Sequence, residues 1–134
     1  MSLPEIDLPE YASTIGISID HWDGGSPVLA VNCSPELCGN PGMFHGGAVG
    51  ALLEMAAVAT LDADLRARQG AAALTPVNST IEYLRAAGEQ RAYASARIVR
   101  AGRRMANLQA LLWQESPEKP VATATVNIAI ASPA

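Results

Sequence analysis

Apolar positions along this chain change their spacing twice. Ile15, Ile17 and Ile19 alternate with Gly16, Ser18 and Asp20, the period of a half-buried strand. Asp23-Gly24-Gly25 predicts a turn, and Val28–Cys33 the strand that returns from it. Ahead of them, residues 4–13, with Leu8-Pro9-Glu10-Tyr11, suit a short helix or an extended arm. Ser34–Phe44 is rich in Pro, Gly and Asn and reads as a loop. The alternation then stops. Gly46–Leu61 holds one charged residue, Glu54, among fifteen uncharged neighbours, which predicts a helix buried on nearly all sides. Charge returns over Arg66–Gln69, and Gly70 suits the cap that ends the helix.

After the helix the period is two and stays there. Val77, Ser79, Ile81 and Tyr83 alternate with Asn78, Thr80 and Glu82 until Ala87-Gly88-Glu89 turns the chain. Tyr93–Arg100, Met105–Gln114 and Val121–Ala131 follow, separated by Ala101-Gly102 and Pro117–Pro120. Short turns between successive strands predict antiparallel neighbours. The expected order is two strands, one long dry helix, then four strands in a meander. This is an α+β fold, one sheet of about six strands wrapped around a buried helix, as a single domain over residues 1–134.

Composition narrows the function classes. A net charge of −4 argues against non-specific nucleic-acid binding. Cys33 and Cys38 lack a second pair or a histidine at ligand spacing, which argues against a disulfide framework or a zinc site. No basic-then-apolar leader is visible, and Glu54 interrupts a helix already short of the roughly 20 apolar residues that span a bilayer. The expectation is a cytoplasmic protein without a membrane segment.

The chemistry concentrates where the helix begins. His45-Gly46-Gly47 places two glycines at a helix N-terminus, where amide groups lack intrahelical acceptors and the backbone can be approached closely. Such an end carries about half a positive charge and suits a developing oxyanion. Glu54 follows two turns later, and a carboxylate withdrawn from water holds its proton more tightly, as general-base chemistry near neutrality requires.

His45-Gly46-Gly47, the acid nine residues after that histidine, the strand ending Tyr83-Leu84-Arg85 and the hairpin Arg100-Ala101-Gly102-Arg103-Arg104 together resemble one family. It is the hot-dog fold acyl-CoA thioesterases, in the branch of the phenylacetate-pathway and 4-hydroxybenzoyl-CoA enzymes. The resemblance covers Gly16 to Ile130. It implies hydrolysis of an acyl- or aryl-CoA to the free acid and CoA, with no metal or organic cofactor, coenzyme A being part of the substrate. The Gly46 amide would polarise the thioester carbonyl, and Glu54 would either activate water or attack the carbon. His45 and Gly47 would shape the start of the helix. Asn40 is a candidate to assist the carbonyl, though it lies five residues before His45 where relatives use six, and it also suits a turn beside Pro41.

Relatives orient the water with a Ser or Thr one turn beyond the acid, where this chain has Val58, or with a serine on the next strand near Pro76. Thr75 and Asn78 are the candidates there. Arg103 and Arg104 suit the phosphates of CoA, and equally a solvated hairpin.

Eight helical residues separate Gly46 from Glu54, roughly 12 Å of rise, whereas one carbonyl needs contacts near 3 Å. Gly46 of one subunit must therefore meet Glu54 of another, and both distance and resemblance predict a homodimer with sites at the seam; the further expectation, a homotetramer built as a dimer of dimers, does not come from the distance. The rival readings are a non-catalytic acyl-CoA-binding protein and an enoyl-thioester hydratase. The lone acid, without a histidine partner for the α and β carbons, argues against the hydratase.

Overall fold

The computed structural model describes residues 6–34, 37, 44 and 46–131. Helix α1, Glu10–Ile15, starts after Pro9 and ends at Gly16, whose φ of 83° lets the Gly16 and Ile17 amides turn back onto Ser13 and Ala12. Ile15 therefore belongs to this helix, and the strand expected from that residue starts later, as β1, Ser18–Asp23. Strand β2, Ser26–Val31, returns through the expected Asp23–Gly25 turn.

Helix α2, Gly46–Arg68, is 23 residues long. It stops where charge and glycine predicted: Gly70 at φ 117° sends its amide to the Leu65 carbonyl at 2.8 Å. Arg66 and Arg68 pair one turn back with Asp62 and Asp64, each at 2.8 Å. Val49, Leu52, Leu53, Ala56, Ala57, Leu61 and Leu65 are buried against the sheet. One stripe is not. Gly46 and Gly47 are exposed, and Gly50, Ala51, Glu54 and Val58 are half-buried at i, i+4 and i, i+3 spacing. The helix is thus sheathed on three sides, and Glu54 lies on the open stripe rather than in the dry interior.

Strands β3, Ala73–Tyr83, β4, Ala92–Ala101, β5, Met105–Trp113, and β6, Ala122–Ala131, complete one antiparallel sheet in the order β1-β2-β4-β5-β6-β3. The expected four-stranded meander is only three strands long. β3 pairs with β6 along its whole length, from Ala73 opposite Ala131 to Tyr83 opposite Ala122, and not with β4. The segment 84–91 makes no tight hairpin because its polar groups bond elsewhere. Leu84 and Arg85 donate to the Val121 carbonyl, Phe44 donates to Ala87, and Gln114 clasps Gly88. β3 is left as one border of the sheet, its second edge unpaired among the described residues.

The core lies between α2 and the sheet, with Leu29, Leu108, Leu112, Val126 and Ile128 among its most enclosed side chains. The sheet's helix-facing side is otherwise paved with alanine: Ala94, Ala96, Ala106, Ala110, Ala122 and Ala124 are all buried. Among the described residues no helix is long and apolar enough to cross a membrane.

Candidate active site

The site begins at the first turn of α2, where helix geometry leaves amides without intrahelical acceptors. Gly46 lies under Tyr83, whose hydroxyl donates to the Gly46 carbonyl at 3.0 Å. A Cβ at Gly46 would stand 3.3 Å from that hydroxyl, so glycine fits the contact. Phe44, Gly46, Val49, Tyr83, Leu84 and Arg85 are among the residues that line a cavity of about 320 Å³ at this end of the helix.

Two turns on, Glu54 accepts a hydrogen bond from the Ser79 hydroxyl at 3.1 Å on Oε2. A bulge in β3 makes this contact. The β3–β6 register shifts between Pro76 and Asn78, leaving Val77 as the extra, half-exposed residue. One extra residue reverses which side chains face the helix. Leu74 and Pro76 lie opposite the helix-facing Ile130 and Ile128, and after the bulge Ser79, Ile81 and Tyr83 lie opposite Val126, Ala124 and Ala122. Pro76 is tolerated because β3 is an edge.

The bulge also decides where Thr75 and Asn78 go. Both are exposed on the outer face of the sheet, where Asn78 accepts from Asn127 at 2.6 Å and Asn127 in turn accepts from Asn107. Ser79, not these two, stands beside the acid. Simple alternation already put Ser79 on one face with Ile81 and Tyr83; the bulge, which sequence does not show, removes Thr75 from that face.

Tyr11, on α1, also belongs to this neighbourhood. Its phenol is held above the ordinary tyrosine range, first by partial burial and second by the negative charge of Glu54. A raised value means that the folded state holds the phenol proton more tightly than the unfolded chain does. The stabilisation is full below the ordinary phenol pKa of about 10 and is lost as pH rises through the folded value. In an alkaline absorbance titration, Glu54→Gln is expected to lower the Tyr11 midpoint, with Tyr11→Phe identifying which of the three tyrosines has moved.

Arg103 and Arg104 lie at the other end of the sheet, lining a cavity of about 460 Å³ with Ile130 and Ala131. The Ile130 amide bonds to the Arg104 carbonyl, whereas Gly46 sits by Tyr83, opposite Ala122. Eight strand intervals along β6, from Ala122 to Ile130 and roughly 27 Å, separate the two ends within one chain. Arg85 is the arginine that one chain brings to its own helix start. Gly47 is exposed beside Gly46. His45 and Asn40 lie outside the described residues. Among the described residues no group of three His, Cys, Asp or Glu converges as a metal site would.

A single antiparallel sheet curled about one long helix, with a glycine helix start and an acid on its open stripe, defines a hot-dog protein. The chain belongs to the acyl-CoA thioesterase family: the signature of the acyl-CoA thioesterase N-terminal domain matches residues 35–129. It is a thioester hydrolase. AziG of S. sahachiroi superimposes with a TM-score of 0.81 at 20% identity, covering 95% of this chain and 100% of that one. A Haemophilus influenzae thioesterase gives 0.78 at 19%, covering 90% and 82%. The E. coli PaaI protein from the phenylacetic acid degradation operon gives 0.76 at 19%, covering 90% and 83%. At these identities the structures speak for the shared fold alone. No curated protein matches the chain by sequence.

Proposed function

We propose that this thioesterase hydrolyses an acyl- or aryl-CoA at sites shared between two copies of the chain. The Gly46 amide of one subunit polarises the carbonyl, and Glu54 of the other activates water or attacks the carbon. The observation that carries this reading is Glu54 itself. It is a carboxylate on the open stripe of the core helix, aligned with the helix start, with one oxygen held by Ser79 and the other without a hydrogen bond among the described residues.

The unpaired edge of β3 supports the shared site. Eleven residues of free strand edge invite pairing with another chain, and Val77, Tyr83 and Leu84 expose apolar surface there. Antiparallel pairing of β3 with its symmetry mate about Ile81 sets Ser79 opposite Tyr83 of the partner subunit. That register carries the mate's helix start to this chain's Glu54. Gly50, midway between Gly46 and Glu54, would hold a Cβ only 3.0 Å from Ile81 Cδ1, so its glycine keeps helix and edge strand close at the centre of the seam. The same pairing carries the mate's Arg103–Arg104 hairpin toward the end where Gly46 and Arg85 lie, a placement suited to CoA phosphates.

Thiol release from a panel of short, medium and aromatic acyl-CoAs tests the function. Turnover of at least one class is expected; binding of all classes without thiol release would overturn the reading. Ser79→Ala tests the carboxylate's support. A hydrogen bond to a charged group is worth about 1.5–3 kcal/mol, so kcat is expected to fall roughly ten- to hundredfold, with the fold retained by circular dichroism.

A further inference from the structure

We infer that Tyr83 is a positioning residue for the amide that meets the thioester oxygen. The inference rests on the Gly46 reading above and adds to it a group on another element. Stabilisation of an oxyanion depends on donors fixed in place before charge develops. A glycine at the first position of a helix is poorly fixed. It has wide torsional freedom and stands where helices fray. Yet the side chain that reaches it comes from the rigid sheet. Tyr83 ends β3 opposite Ala122 and donates its hydroxyl to the Gly46 carbonyl at 3.0 Å.

The ring is 55% exposed, so burial does not force the hydroxyl to find a protein acceptor; water would serve. Within an α-helix this carbonyl already accepts from the amide four residues on, and the tyrosine takes its second lone pair. The additional bond pins the plane of the Gly46–Gly47 peptide to the strand end; the N–H of Gly46 itself belongs to the preceding peptide and is steered through the torsions of Gly46 that this anchor restricts. It also draws charge toward the carbonyl oxygen, which strengthens the Gly47 N–H on the same peptide as a donor. The missing Cβ at Gly46 completes the fit, since a methyl there would press on the hydroxyl at 3.3 Å. Tyr83 touches no reacting atom in this scheme. It acts through the glycine.

Tyr83→Phe removes one oxygen from a half-exposed ring and leaves the core untouched. Its kcat is expected to fall about tenfold, the effect of roughly 1.4 kcal/mol. KM, and the affinity for a non-hydrolysable S-alkyl-CoA thioether, which has no carbonyl to polarise, should stay within about twofold of wild type. Amide exchange at Gly46 should quicken in the variant, a readout in the free protein independent of turnover. An unchanged kcat overturns the inference, as does a parallel loss of kcat and thioether affinity, which would make Tyr83 only a wall of the binding cavity. Glu54→Gln in the same assays separates the levels. If it is dead while Tyr83→Phe turns over normally, only this inference falls; if both turn over normally, the shared-site reading falls with it.

Discussion

Glu54→Gln is expected to lower kcat by about 10²–10⁴-fold, the range ascribed to a positioned proton-transfer group, while fold and acyl-CoA binding persist. Glutamine keeps the length of the side chain and can still accept from the Ser79 hydroxyl, so the packing of α2 against β3 is preserved. What disappears is the anionic oxygen that Ser79 does not hold. Whether that oxygen takes a proton from water or attacks the thioester carbon, an amide does neither well. Thiol release measured alongside thioether binding checks the expectation, and a variant that hydrolyses at wild-type rate would remove Glu54 from the mechanism. The substitution also has a spectroscopic counterpart in the Tyr11 titration, because the same lost charge relaxes that phenol.

The second large effect concerns which chain supplies which group. Gly46→Pro deletes the amide hydrogen at a position where a helix accepts proline readily; its ring must displace the Tyr83 hydroxyl slightly. Alone, this variant and Glu54→Gln are each expected to be nearly inactive. Co-expressed, they form mixed dimers in which one site unites an intact Gly46 from one chain with an intact Glu54 from the other. The opposite site carries both defects. Random pairing makes half of the dimers mixed, and roughly a quarter of wild-type activity should return. If both groups of one chain served the same carbonyl, no mixture would recover anything. Differently tagged subunits, purified through both tags, allow the activity of the mixed dimer to be read directly.

Much of this arrangement was legible in the residues. The loss of periodicity over Gly46–Leu61 marked the core helix and Gly70 marked its end, while the glycines and Glu54 marked the stretch on which the proposed chemistry rests. Four features were not legible, each for a physical reason. α1 absorbs Ile15 because Gly16 adopts a left-handed conformation, and the same Ile-x-Ile-x-Ile spacing reads as a strand until that glycine's torsion is known. β3 borders β6 because Gln114, Val121 and Phe44, distant in sequence, satisfy the backbone of the connection that would otherwise turn as a hairpin. Thr75 and Asn78 flank Pro76 in sequence and so overshadow Ser79, and the extra residue at Val77, which leaves Thr75 on the outer face and Ser79 beside the acid, has no mark in the sequence. The openness of the Glu54 stripe was hidden by its composition. Gly50, Ala51 and Val58 are as apolar as the buried face, and they are apolar on both accounts if a second copy covers them.

The alanine paving beneath α2 has a mechanical consequence. Methyl groups at Ala94, Ala96, Ala106, Ala110, Ala122 and Ala124 set how near the helix axis rests to the strands. Gly46 and Glu54 ride on that axis, while Tyr83 and Ser79 are fixed to the strands. Any bulkier residue in the floor would act as a shim, raising the helix and lengthening both hydrogen bonds at once. Thickness of the molecular interior is in this way the gauge to which the chemistry is set, and residues that never approach a substrate hold its tolerance.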